Sequence, residues 1–330
     1  MTDPAQWQHS FITTPTGYQV HYVEAGPKDG LPVVLVHGWP DIWFGWRHQI
    51  KALEGKYRLI VPDSRGFGQS STPKELSAYG AKNVTSDFAA LLDALDIEKA
   101  VFIGHDWGGA MVWRMCQYHP DRVIAVGGVC TPYTPPSEEF VDLETVIKIL
   151  PSFAYQAVLA DSANAAAILD SSPRRLFTAF FRRSNENPPK HERLSVIDQI
   201  RGVKDSPHWL FTKKSTILTD AEMDYYVQQY TKSGFQSNCN YYATRKLDFD
   251  TERGLPAKIM HPALFIAAGK DAVLKPEMAR KMPQFMPNLQ MKLIKEAGHW
   301  VLWEQKEEVN AILLEWLGQI ATQYAGKSKL

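Results

Sequence analysis

The sequence is short of cysteine, has no excess of either charge and contains no long apolar run. Its 330 residues include three cysteines, Cys116, Cys130 and Cys239. They are scattered and match neither a disulfide framework nor a zinc-ligand spacing, which points to a reducing compartment. The 36 lysine and arginine residues balance 36 aspartate and glutamate residues. Charge therefore recommends neither nucleic acid nor an anionic membrane as a partner. No apolar stretch approaches the roughly 18–20 residues that a membrane span requires. The opening MTDPAQWQHS has neither the basic nor the apolar part of a secretory signal. No internal repeat or low-complexity segment is visible. With 45% hydrophobic residues the chain has material for a sizeable core.

What is present is a series of short apolar runs. One alternating stretch, YQVHYVE at 18–24, reads as a half-buried strand. VVLV (33–36), YRLIV (57–61), AVFI (100–103), VIAVGGV (123–129), ALFIAA (263–268) and MKLI (291–294) follow. Such runs suit strands buried on both faces of a parallel sheet. Helical periodicity lies between them. Ile42, Trp46, Ile50 and Leu53 share a face, as do Val84, Phe88, Leu91, Leu92 and Leu95. Val309, Ile312, Leu313, Trp316, Leu317 and Ile320 repeat the pattern near the end. Alternating strands and helices predict an α/β fold with helices on both sheet faces.

The rhythm breaks between 129 and 263. A crossover needs about a dozen residues, and long structureless loops are uncommon in compact domains. The expected plan is a core part at 1–131, an inserted helical cap at 132–255 and a second core part at 256–330. FFRRSNENPPKHERL (180–194) is polar and proline-bearing, and an exposed loop is expected there. The final Ser328-Lys329-Leu330 spells an address read by the peroxisomal import receptor. A peroxisomal or cytoplasmic location is the corresponding expectation.

The chemistry centres on GHDWGG at 104–109. A strand, then glycines around one polar residue, then a helix is the pattern of a nucleophile elbow. Its tip is usually serine, and here it is Asp106. Further on, GKDAVLKPE puts Asp271 just past one strand, and KEAGHW puts His299 just past the next. Nucleophile, acid and histidine in this order follow the α/β-hydrolase arrangement. Taken singly, each is more often an N-cap or a structural histidine; the ordered set is the signal. HGWPD (37–41) follows the strand that usually supplies an oxyanion-hole amide. That assigns one backbone N–H to Trp39 and the other to Trp107. The same residues form a tight turn compatible with a cis bond before Pro40.

A carboxylate with a pKa of about 4 is ionised at neutral pH and needs no base to attack. It can displace a leaving group from saturated carbon and become an ester. His299, oriented by Asp271, would then activate water to hydrolyse that ester. Epoxides and alkyl halides are two substrate classes open to such a nucleophile. A halide asks for weak N–H donors, and an epoxide oxygen asks for a proton, which a tyrosine can provide.

HGWP, GHDWGG, GKD and GHW, in this order, resemble the soluble epoxide hydrolases of the α/β-hydrolase fold through nearly the whole chain. The resemblance implies two cap tyrosines that protonate the ring oxygen. FAYQ matches the first position and gives Tyr155; SGFQSNCNYYATR gives Tyr242, with Tyr241 as its neighbour. It also implies a small apolar epoxide and water as substrates, and neither metal nor organic cofactor. Residue 39 is Trp where Phe is frequent in the family, which should reshape the pocket wall (Trp39 and Trp107) but not the amide. The phosphatase domain that precedes this module in mammalian relatives is not expected. A haloalkane dehalogenase shares the Asp-Trp pair and is the nearest alternative. A non-catalytic ligand receptor on this fold would not need Asp271 and His299.

Overall fold

The structure, a computed structural model, describes residues 2–186 and 190–327. Eight strands form one sheet: β1 (Gln8–Thr13), β2 (Gln19–Ala25), β3 (Leu31–Val36), β4 (Tyr57–Pro62), β5 (Ala100–His105), β6 (Val123–Val129), β7 (Ala263–Ala268) and β8 (Leu289–Ile294). Their order is β1-β2-β4-β3-β5-β6-β7-β8. β1 and β2 pair antiparallel, as do β2 and β4; the remaining pairs are parallel. Every apolar run read as a strand falls in one. β5 and β7 are buried along their whole length, as continuous apolar runs require. β1, with the sequence QHSFIT, escaped the reading because it lies at an edge and buries little.

Helices α1 (Arg47–Leu53), α2 (Ala81–Ala94) and α3 (Trp107–Tyr118) connect the first strands. Val84, Phe88, Leu91 and Leu92 turn inward from α2, as their spacing predicts. Between β6 and β7, no strand occurs among the described residues. That segment carries α4 (Leu143–Ile149), α5 (Tyr155–Ala160), α6 (Ser162–Leu169), α7 (Pro173–Phe180), α8 (Val196–Arg201), α9 (Asp220–Ser233), α10 (Gln236–Cys239) and α11 (Arg245–Glu252). α12 (Val301–Glu304) and α13 (Lys306–Lys327) close the chain, with Val309, Leu313, Trp316, Leu317 and Ile320 buried. α9 begins with a capping box between Thr219 and Glu222. Glu222 also meets Arg47 Nε at 2.7 Å, so a buried ion pair joins the helical segment to α1.

The start of 180–194 departs from the expected exposed loop. Phe181 and Arg182 are buried, and Ser184–Glu186 forms a short 3-10 turn. Phe181 stands edge-on to Trp300 and Trp303 at ring separations of 4.7 and 5.0 Å. The polar average of the stretch hid an aromatic that completes a cluster with these two tryptophans. Residues 187–189 of this stretch, and Ser328-Lys329-Leu330, lie outside the described residues.

Candidate active site

The turn between β5 and α3 places Asp106 at φ 53° and ψ −122°. A non-glycine residue there is strained by about 1–3 kcal/mol. Two glycines make the turn possible. A Cβ on Gly104 would come within 2.1 Å of the Gly108 carbonyl oxygen, and one on Gly108 within 2.1 Å of the Val36 oxygen. Thr131, two residues past the end of β6, clamps the turn by donating its hydroxyl to the Asp106 carbonyl at 2.6 Å.

The Asp106 carboxylate accepts the Trp39 backbone N–H at Oδ1, 2.8 Å away. Gly38 lets this happen, since a Cβ there would lie 2.4 Å from Asp106 Cβ. His37 steadies the loop: its Nδ1 donates to the Gly38 carbonyl at 2.9 Å and its Nε2 accepts the Ser64 amide at 3.0 Å. The Trp39–Pro40 peptide is cis. Burial pushes the Asp106 carboxyl upward from its ordinary value; the His299 charge and the Trp39 and Trp107 amides pull it back only in part. It is thus a weaker acid than the free side chain assumed from sequence.

Asp271 follows β7, and His299 follows β8. His299 Nδ1 meets Asp271 Oδ2 at 2.7 Å, while its Nε2 stands 3.7 Å from Asp106 Oδ2. The first is a hydrogen bond; the second is too long for one. Asp271 Oδ1 accepts the amides of Val273 and Leu274 at 2.8 and 2.9 Å. Burial works against the Asp271 charge, but His299 and these amides hold the carboxyl below its usual range. Burial would lower His299; Asp271, then Asp106, carry it up to about 9 instead.

Two residues that sequence reasoning did not single out support His299 from behind. His105 Nε2 donates to the His299 carbonyl at 2.9 Å, and the Cys130 thiol approaches the same oxygen at 3.6 Å. Burial pushes His105 down to about 3, which keeps it neutral. Cys130 sits at φ 65°, a left-handed position that no residue pattern announced. Nitrogen and sulfur atoms of His105, Cys130 and His299 lie within 4.8 Å of one another, a spacing a metal ion can use. As folded, these donors serve the carbonyl clamp and the Asp271 bond.

Asp106, Asp271, His299, Tyr155, Tyr242 and Trp39 all line one cavity of about 390 Å³. Phe180 and Trp300 complete its aromatic wall. Trp107, also assigned to the wall from sequence, is not among the lining residues; its ring packs edge-on against Tyr242 at 5.2 Å. Tyr155 and Tyr242 face each other at a ring separation of 5.8 Å. The Tyr155 hydroxyl interacts with Gln156 and Tyr242, and the Tyr242 hydroxyl with Trp107. Burial, with the Asp106 charge adding to it, raises both phenols and keeps them protonated. Tyr241 is spent elsewhere, donating to the Arg65 carbonyl at 3.0 Å.

Fold and site together define a class. The family model of the α/β-hydrolase fold matches residues 32–306. Among proteins of known identity, the chain is similar to the bifunctional epoxide hydrolase 2 of Mus musculus, at 36% identity over 96% of this chain and 56% of the mouse protein. It is 31% identical to an epoxide hydrolase of Neurospora crassa, covering 94% of this chain and 95% of that one. The crystal structure of epoxide hydrolase A from Mycobacterium thermoresistibile superposes with a TM-score of 0.83 at 32% identity, over 94% of this chain and 98% of the other. The chain belongs to the epoxide hydrolase family of the α/β-hydrolase fold. It spans about half the length of the mammalian relatives it matches.

Proposed function

We propose that this chain converts an epoxide and water to a vicinal diol through an ester on Asp106. Asp106 attacks one ring carbon, the C–O bond breaks, and the departing oxygen takes a proton from Tyr155 or Tyr242. His299 then removes a proton from water, which attacks the ester carbonyl. The oxyanion that forms on Asp106 is held by the amides of Trp39 and Trp107. Collapse releases the diol as His299 gives its proton to the departing alkoxide, and the proton left on the Asp106 carboxyl restores the tyrosinate, which returns every group to its starting state. Residues 132–255 serve as the cap that brings the tyrosines over the carboxylate.

The observation that carries this reading is the meeting of Asp106, His299, Tyr155 and Tyr242 on one cavity. A charge 3.7 Å from His299 Nε2 also supports a two-step order. Before the ester forms, the Asp106 charge helps to keep His299 protonated. Esterification removes that charge, and the imidazole becomes available as a base. The similarity to proteins named as epoxide hydrolases supports the same reaction.

The test is a pair of substrates. Incubated with styrene oxide, the protein should yield the diol; incubated with 1-bromobutane, it should release no bromide. Bromide release would favour a dehalogenase, and turnover of neither compound would favour a ligand receptor.

A further inference from the structure

Trp39 makes a second link besides its backbone amide. Its indole N–H donates to Asn238 Oδ1 at 2.8 Å. Asn238 is fully buried, and its Nδ2 donates to the Gly234 carbonyl at 2.9 Å. Chemistry fixes the orientation of this amide, because an indole only donates and a carbonyl only accepts. Asn238 belongs to α10, which runs on through the 3-10 turn Asn240–Ala243 that carries Tyr242. The Trp39 ring also stands edge-on to Tyr242, at 5.6 Å and 88°. One residue therefore touches both ends of the reaction path. Its amide holds Asp106 Oδ1, and its side chain holds the segment bearing a proton donor. A phenylalanine at this position would have no N–H to offer, so the link depends on the tryptophan of this chain.

We propose that the Trp39–Asn238 hydrogen bond is a strut that sets Tyr242 relative to Asp106, and that Asn238 is a positioning residue deciding which epoxide carbon is attacked. This rests on the reading of Asp106 and Tyr242 given under Proposed function. In ring opening, the new bond runs from an Asp106 oxygen to carbon, and the bond that breaks runs from that carbon to the ring oxygen. The tyrosine proton goes to that ring oxygen. Shifting the donor against the nucleophile changes which of the two C–O bonds is aligned for this displacement. A misplacement of about 1 Å can cost roughly 10²-fold in rate.

A single enantiomer of styrene oxide reads this directly. Attack at the benzylic carbon inverts that centre, and attack at the terminal carbon retains it. The diol from wild type, Asn238→Leu, Trp39→Phe and the double variant is resolved by chiral chromatography. Ring opening is timed separately in a His299→Ala background, as ester accumulating on the Asp106 peptide. Each single substitution should change the inverted-to-retained ratio by about threefold or more. Each should slow ester formation about tenfold, and adding Asn238→Leu to Trp39→Phe should change ratio and rate no further. A wild-type ratio and rate per titrated site in Asn238→Leu would overturn the strut. So would effects that multiply in the double variant, since Asn238 is not a cavity-lining residue and Trp39 is. Loss of folded protein lowers the number of sites but leaves the ratio unchanged. If Asn238→Leu does not fold, the smaller Asn238→Ala, which also lacks the acceptor and lies off the cavity lining, carries the same measurement. A wild-type protein that forms no diol would instead sink the proposed function.

Discussion

His299 lies between two carboxyl groups at unequal distances, 2.7 Å from Asp271 and 3.7 Å from Asp106. Both anions raise it, Asp271 more strongly, to about 9. The sign of the response to mutation follows. Asp106→Asn removes one raising charge, so the His299 pKa should fall below about 9; Asp271→Asn should lower it further. Imidazole proton resonances followed against pH would show this, and an unchanged value in Asp271→Asn would refute the electrostatic account. The tyrosines call for a kinetic test. Replacing both Tyr155 and Tyr242 by Phe should reduce ring opening by about 10²–10⁴-fold, the usual contribution of a positioned acid. Full activity in that variant would remove them from the mechanism. Asp106, Asp271 and His299 were legible because each follows a readable strand. Tyr155 and Tyr242 were legible only through family resemblance, since nothing local separates them from the other tyrosines. His105 and Cys130 left no local signal of their partnership, because the carbonyl they share lies more than 160 positions away.

At the scale of elements, the strand–turn–helix around Asp106 is the least forgiving part of the molecule. α3 packs so closely on β3 and β5 that a methyl group at Gly108 would overlap the Val36 carbonyl. Gly108→Ala should cost about 3 kcal/mol. Urea unfolding checks this; a midpoint equal to wild type would mean that the close approach relaxes easily. This constraint was visible beforehand in the spacing of the glycines around Asp106. The α7 end was not. Phe181 sits at the start of a polar stretch, and only the neighbouring Trp300 and Trp303 explain why it turns inward, while half-buried Phe180 stands edge-on to Trp39.

Across the whole molecule, the helical segment and the sheet meet around buried polar groups rather than apolar surface alone. Asp41, completely buried in the loop after β3, accepts the Tyr226 hydroxyl of α9 at 2.6 Å, and its carbonyl takes the Tyr230 hydroxyl at 3.2 Å. Burial raises the Asp41 carboxyl to about 7 against partial relief from the Tyr226 hydroxyl, the Ile42 amide and the Arg47 charge. The folded chain therefore keeps a proton that the unfolded chain releases above a pH of about 4. Stability from this group is full below that pH and is lost as pH rises through about 7. Asp41→Asn should remove this dependence. The wild-type stability relative to the variant should decline between pH about 4 and about 7, as urea midpoints at several pH values would record. A constant difference would mean that Asp41 does not titrate in that window. The order of strands and helices, the turn at Asp106 and the strand-end positions of its partners were written in local periodicity and spacing. Strand burial and turn chemistry act over a few neighbouring residues, so a linear reading reaches them. The upward shift of His299, the cavity and the Trp39–Asn238 bond arise from groups brought together from distant parts of the chain. Dielectric environment and long-range contact exist only once the chain has folded, and the tertiary structure alone decided them.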